Sequence, residues 1–398
     1  MILKVLPSIK KLYFYCYIFI ACIGLVLVYP LSLIRRLIRK KPNSLWAGAP
    51  ILTLPLKARA ESMLGINAKS LVYESYGIAK HGFDINLEKW ISLPIFGRFV
   101  PLLTFLFACS TQDRLHFFYD RGLLPPFNAG VFSTFELFAY KIFKIKTFFW
   151  AYGADVRTRM QTQTLGQINC CTFCPSVEKA CVCLEDKGQG NYNSIYRLAT
   201  KCFSMGDMVH YTPGSDNTVF YWPIDINVEN GQKYQPVYPT GDAKKPLVIV
   251  HASNHRAFKG TNFLIKAVND LTEEGYLIEL RMIEKMPNVE ALENYRLADI
   301  IFDQCLIGFH GYFALEGMAL GKPVMSFIRN PNADLLEPNE CPLINISTKT
   351  LKAEIVNFYK ERSSLVEIGK RGRKYIETYY TLEAVSERMG LAFNNLRE

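Results

Sequence analysis

The sequence predicts an α/β protein with parallel sheets, arranged as two domains behind an N-terminal apolar segment. Three observations carry this reading. The chain has 398 residues, room for two domains of about 150 residues each plus an appendage. From Leu247 onward, short apolar runs alternate with segments of helical length, as βαβ units require. Near the start, the run from Leu12 to Ile34 carries no charge. With 49% hydrophobic residues, 25 Gly and 20 Pro, the composition excludes wholesale disorder and collagen-like sequence.

Residues 1–42 read as a membrane-anchoring segment. As a helix, the uncharged run rises about 34 Å, enough to cross bilayer hydrocarbon. Pro30 falls near one end, and Tyr13, Tyr15 and Tyr17 suit an interface. The same segment fits a helix lying in the interface on anionic lipid. Both readings make the membrane a partner. The cations Arg35, Arg36, Arg39, Lys40 and Lys41 follow the run, against Lys4, Lys10, Lys11 and the amino group before it. That asymmetry favours a cytoplasmic body, and cations where a cleavage site would lie argue against a signal peptide. The whole chain has 46 Lys+Arg against 36 Asp+Glu, a formal +10, and most of the excess sits in this segment. A near-neutral body lacks the basic stripe that displaces counterions from nucleic acid, so no nucleic-acid partner is expected.

Residues 43–240 form the expected first domain. It is aromatic-rich and irregular, with apolar stretches at 70–73, 116–119 and 147–152 that read as buried strands. Between Tyr234 and Pro246 the composition shifts to Pro, Gly and charge, as in an interdomain linker. The second domain, 241–380, then alternates clearly: strand 247–251, helix 261–272, strand 277–283, helix 289–297, strand 300–302, helix 312–320 and strand 324–327. Further helices are expected at 351–360 and 365–380, and the tail 381–398 is read as a helix that can cross back to the first domain.

Open parallel sheets bind ligands beyond the carboxyl ends of their strands, which directs attention to 252–259 and 306–311. No dinucleotide Gly-x-Gly-x-x-Gly fingerprint follows a strand and no NTPase phosphate loop occurs, which disfavours a dehydrogenase or an ATPase. Instead Arg256 and Lys259 precede Gly260 at the start of a helix. Two cations beside a helix N-terminus suit a diphosphate. They also suit an ordinary solvated loop. Farther on, Glu316 stands inside an apolar helix followed by Gly317, Met318, Ala319, Gly321, Lys322, Pro323 and Val324. A lone acid there requires a polar partner.

This segment resembles the signature of GT-B glycosyltransferases, particularly the large retaining group (family 4, or group 1), in which a glutamate precedes Ala/Gly-Met-Ala-x-Gly-Lys-Pro-Val. Arg256, Lys259 and Gly260 match the group's donor-diphosphate position, and the likeness covers roughly 247–380, with weaker agreement at Tyr152–Arg157. The resemblance implies two Rossmann-like domains facing across a cleft. It assigns Arg256 and Lys259 to the diphosphate of a UDP- or GDP-sugar, Gly311 to the vicinity of the phosphates, and Glu316 to the ribose hydroxyls. The group's second acid, eight positions before Glu316, is replaced here by Gly308. His310 is then the candidate sugar contact, or else a structural loop histidine. Asp155 falls where related enzymes carry an acceptor-facing loop; it reads as a base or acceptor-positioning group, or equally as a helix cap or ion-pair partner of Arg157. His116 and Asp120 are weaker candidates for the same place.

Cys171, Cys174, Cys181 and Cys183 have spacings that can close on a tetrahedral structural Zn²⁺; an iron–sulfur cluster or unligated thiols are the alternatives. No catalytic metal is expected. The combined expectation is a membrane-associated transferase that moves a sugar from a nucleotide-diphosphate donor to a lipid-linked or glycan acceptor, as in surface-polysaccharide assembly. A nucleotide-sugar epimerase of the same architecture and a non-catalytic anchored scaffold are the rivals.

Overall fold

The computed structural model describes residues 7–75, 82–125, 132–174, 185–227 and 233–395. Over these the chain divides into two compact units. Residues up to 75, 82–156 and 186–203 form the first, and 157–174 with 204–395 the second.

In the first unit, six parallel strands take the order β3-β2-β1-β4-β5-β6. They are β1 (Asn43–Ala47), β2 (Asn67–Val72), β3 (Ile85–Asn86), β4 (Arg114–Phe117), β5 (Lys146–Trp150) and β6 (Lys201–Phe203). The apolar stretches expected as strands supply β2, β4 and β5. Around them lie α1 (Pro7–Ile38), α2 (Thr53–Ser62), α3 (Glu88–Ile91), α4 (Val100–Thr111) and α5 (Thr134–Ile142) and, after α6 (Arg159–Thr164) of the other unit, α7 (Glu185–Leu198). Glu61 on α2 is fully buried and ties the central strands together. Its carboxylate accepts from Ser44 Oγ at 2.6 Å, Trp46 Nε1 at 2.7 Å and His116 Nε2 at 3.2 Å. Because an indole N–H only donates, Trp150 Nε1 at 3.0 Å fixes His116 Nδ1 as an acceptor. His116 is therefore neutral, in keeping with the burial that lowers its pKa despite Glu61. It also stacks on Trp46 at 4.0 Å. This histidine belongs to the core.

The apolar helix α1 runs unbroken through Pro30 and packs along α4. Tyr17, Ala21 and Ser32 are buried on one face, and a Cβ on Gly24 would meet Leu106 at 2.5 Å. The remaining faces expose apolar side chains, among them Phe19, Ile23, Val26 and Leu27. The stretch Phe14–Ile38 is long and apolar enough to cross a membrane.

In the second unit, five parallel strands take the order β11-β10-β9-β7-β8. They are β7 (Leu247–Ala252), β8 (Ile278–Ile283), β9 (Ile300–Gly308), β10 (Val324–Ile328) and β11 (Ile344–Asn345). The helices are α8 (Arg256–Lys259), α9 (Thr261–Glu273), α10 (Asn288–Arg296), α11 (Tyr312–Ala319), α12 (Pro331–Asp334), α13 (Leu351–Lys360), α14 (Arg362–Tyr379) and α15 (Leu382–Asn394). The expected alternation is present. One element is much longer than expected: β9 continues past Phe302 to Gly308 with every residue buried. Asp303 and Gln304, which read as a strand exit, stay inside because both are bonded there. Gln304 Nε2 donates to Ser326 Oγ at 2.9 Å and Phe327 O at 2.7 Å, and its Oε1 accepts from the Leu306 and Ile307 amides.

Segments 157–174 and 204–227 of the second unit are tied to each other by a buried ion pair. Arg157 Nη1 and Nη2 donate to Asp207 Oδ2 and Oδ1 at 2.6 and 2.7 Å. Removing one partner strands the other charge in the interior. Asp207→Ala is expected to destabilise the protein by about 3–5 kcal/mol, measured by urea denaturation.

Candidate active site

At the end of β7 the chain turns into α8. His255 caps it, its Nδ1 accepting from the Phe258 amide at 3.3 Å, and Ser253 Oγ accepts from the His255 amide at 3.2 Å. Gly260 ends α8 at φ 76 and starts α9; a side chain there would be strained and would run into Cys305. This turn presents Arg256 and Lys259.

Lys259 Nζ donates to Asp303 Oδ1 at 2.7 Å, and Asp303 Oδ2 accepts from the Gly311 amide at 2.7 Å and Ser326 Oγ at 3.1 Å. One buried carboxylate thus gathers the β7 turn, the start of α11 and β10. Burial alone would raise the Asp303 pKa, but the Lys259 ammonium and the Gly311 N–H outweigh it and hold the group below its ordinary value. A Cβ on Gly311 would lie 3.1 Å from Asp303 Oδ1 and 3.6 Å from Lys259 Nζ. The glycine keeps this approach open. Lys259 also sits 5.5 Å from the centre of the Phe313 ring on α11.

One turn along α11, Glu316 is buried, and burial raises its pKa against the opposing pull of Asn288, Lys233, Tyr234 and Lys259. Tyr234 Oη at 3.1 Å and Asn288 Nδ2 at 2.9 Å both donate to Oε1. Lys259, Gly311 and Glu316 thus converge. Arg256 lies on the same short helix as Lys259, but its exposed guanidinium pairs with Glu284 at 2.6 and 2.9 Å. His310 is buried, which lowers its pKa; its Nδ1 lies 3.3 Å from the Gly311 carbonyl and its ring 4.2 Å from that of Phe309.

Gly308 has φ +102, and a Cβ there would come within 2.8 Å of Arg329 Nη2. Arg329 is held by the carbonyls of Leu165 at 3.1 Å, Ile168 at 2.9 Å and Ile307 at 3.2 Å. Where the resembling group carries an acid, this chain has a left-handed glycine under a guanidinium.

In the first unit, the loops after β4 and β5 carry Asp120, Tyr152 and Asp155. Asp155 accepts three backbone N–H bonds, from Tyr152 at 2.9 Å, Gly153 at 2.9 Å and Tyr119 at 3.2 Å. These bonds brace both loops. Arg157 makes its ion pair with Asp207. Asp120 Oδ2 accepts from Tyr152 Oη at 3.3 Å and Arg121 Nε at 3.3 Å, while its buried Oδ1 has no hydrogen-bond partner among the described residues.

Cys171 and Cys174 are partly buried, and a hydrogen bond with Cys170 pulls the Cys171 thiol down to about 7. Cys181 and Cys183 lie outside the described residues. Among the described residues no group of three His, Cys, Asp or Glu is placed to hold a metal ion, so zinc finds no support there.

Sequence reasoning missed Asp303, Tyr234, Asn288 and Arg329. An acid directly after three apolar strand residues was the available signal for Asp303; the others come from distant segments with no local mark.

No family model matches the sequence, and no curated protein sequence matches it. Solved structures do. The chain has the GT-B fold of glycosyltransferases. It is similar to the Anabaena protein HepE, solved in complex with UDP-glucose, at 13% identity and a TM-score of 0.55, covering 88% of this chain and 99% of that one. Sucrose-phosphate synthase from Thermosynechococcus elongatus aligns at 12% identity with a TM-score of 0.56, covering 90% and 99%. An α-glucosyltransferase solved with UDP-glucose and DNA aligns at 10% identity and 0.53, also covering 90% and 99%.

Asp303→Ala leaves Lys259, Gly311 and Ser326 without their shared acceptor and is expected to cost about 3 kcal/mol. Because the folded pKa is depressed, this stability is complete above the unfolded value of about 3.9 and is lost as pH falls through the folded value. Urea melts in acid should show the wild type losing an increment that the variant never had.

Proposed function

We propose that the protein is a membrane-associated glycosyltransferase that moves a sugar from a nucleotide-diphosphate donor, a UDP- or GDP-sugar, to a lipid-linked or glycan acceptor. The convergence of Lys259, Gly311 and Glu316 at the carboxyl ends of β7 and β9 carries this reading, because that edge of an open parallel sheet is where nucleotides bind.

Loss of the nucleoside diphosphate is the hard part of the transfer, since charge accumulates on the β-phosphate and must meet donors already in place. An ammonium has three N–H donors, and Asp303 takes one from Lys259, leaving two for phosphate oxygens. The first-turn amides of Tyr312 and Phe313 precede the first i→i−4 acceptor of α11 and add their dipoles. Arg256 adds a second cation by exchanging Glu284 for phosphate. That exchange is easy, since an exposed ion pair is worth only about 0–1 kcal/mol. Glu316 accepts both internal bonds at Oε1, which suits Oε2 to the ribose hydroxyls.

His310, neutral and next to Gly311, is the candidate contact to the donor sugar. On the acceptor side, Asp155 holds the loops and Asp120 supplies the carboxylate beside them. The apolar α1 supports association with a membrane, and the cations that follow it favour a cytoplasmic site. Retention of anomeric configuration rests on the resemblance of Glu316 and its neighbours to the retaining group.

Titration calorimetry of the full-length protein in detergent with UDP-, GDP-, ADP- and CMP-sugars should show binding confined to one nucleotide. Lys259→Ala and Glu316→Ala should each weaken that binding at least about tenfold, or ~1.4 kcal/mol. Heat from none of the four, or unchanged affinity in both variants, would overturn the assignment.

A further inference from the structure

Two cavities in the first unit share Ile85 and Phe107 as common walls. The larger, about 390 Å³, lies between β2–β3 and α3–α4, with Leu71, Leu87, Trp90, Phe96 and Leu103 among its lining. Its polar side chain, Thr104, spends its hydroxyl on the Val100 carbonyl at 2.8 Å. A cavity of this size falls in the range of small-molecule sites, about 300–1,000 Å³. The smaller, about 130 Å³, has Arg35 and Lys69 among its lining. Its other polar groups are committed internally: Asn43 Nδ2 to Thr111 O, Asn67 Nδ2 to Asn43 Oδ1, Gln112 Nε2 to Thr111 Oγ1 and Ser44 Oγ to Glu61. The nearby acid Asp113 pairs with Arg39. Arg35 and Lys69 have no ion-pair partner among the described residues.

An apolar groove joined to a cationic pocket selects a molecule with a hydrocarbon chain and an anionic head. Its source follows from the position of α1. The pocket takes Arg35 from the end of the uncharged run, where a helix embedded in a bilayer meets the headgroups. The groove continues from the packed face of α1, since Leu106 touches Gly24 and the next residue, Phe107, lines both cavities. Four of its lining side chains, Trp90, Phe96, Leu103 and Phe107, are exposed. Such a contiguous patch marks an interaction surface.

We propose that this composite cavity binds an anionic phospholipid of the membrane, the phosphate on Arg35 and Lys69 and one acyl chain in the groove. The pocket for the phosphate is separate from the acceptor loops. Asn43 and Asn67 begin β1 and β2, whereas Asp120 and Asp155 follow the ends of β4 and β5, and all four strands are parallel. The bound lipid is therefore an anchor that orients the body on the bilayer and stands independently of the donor-site reading.

Trp90 reports on the groove. It is 53% exposed, while Trp46, Trp150 and Trp222 are buried. The full-length protein is reconstituted into phosphatidylcholine vesicles, with or without phosphatidylglycerol, and quenching by either lipid brominated on its acyl chains is followed. Brominated phosphatidylglycerol should quench more strongly than brominated phosphatidylcholine, and Trp90→Phe should remove the difference. In the double variant Arg35→Ala/Lys69→Ala, half-quenching should need about thirtyfold more phosphatidylglycerol, the contribution of two cations near a lipid surface. Vesicle flotation, carried by α1, should be unchanged. The charge-preserving pair Arg35→Lys/Lys69→Arg should keep the preference, which separates lost charge from lost folding. Glycerol 3-phosphate, a head without a chain, should not relieve the quenching. Equal quenching by the two lipids, a preference that survives the alanine pair, or relief by glycerol 3-phosphate would overturn the proposal. Donor titration in the same vesicles reports separately on the nucleotide site.

Discussion

The loop edge of the C-terminal unit depends on one buried carboxylate. An ionised acid in the interior is tolerated only when charge and donors surround it, and Asp303 meets that demand with Lys259, the Gly311 amide and Ser326. The turn after β7, the first turn of α11 and the middle of β10 therefore hold their positions together. Close approach requires glycine at two points: Gly260, where the chain reverses against Cys305, and Gly311, where a side chain would crowd the ion pair.

The first unit uses a buried acid differently. Glu61 is satisfied by Ser44, an indole and a neutral histidine, and the network runs through stacked rings in the middle of the sheet. Its polar residues thereby become core. The groups that remain at the carboxyl ends of the strands are Asp120, Tyr152 and Asp155, the last fully engaged with backbone amides.

Helix α1 combines an apolar run of membrane-crossing length with a packed face. A freely spanning helix is apolar all round and packs on nothing, whereas Tyr17, Ala21, Gly24 and Ser32 lay one side of α1 along α4. Exposed apolar side chains of α3 and α4 line the larger cavity, and Arg35 near the end of α1 lines the smaller one.

The sequence by itself determined the α/β class and the order of elements after Leu247, and singled out Lys259, Gly311 and Glu316 as candidates, because alternation and helix boundaries are local properties of neighbouring residues. It also marked α1, since an uncharged run of that length has few other uses. Only the tertiary structure decided what those residues touch. Asp303 and Gln304 look like the exit of a strand until Ser326 and Gly311 arrive to bond them. Tyr234 and Asn288 reach Glu316 from separate segments. The position where the resembling group carries an acid became a glycine beneath Arg329, an arginine fastened to carbonyls more than a hundred residues away. Burial of a charge is settled by partners remote in the chain, and no local pattern encodes them.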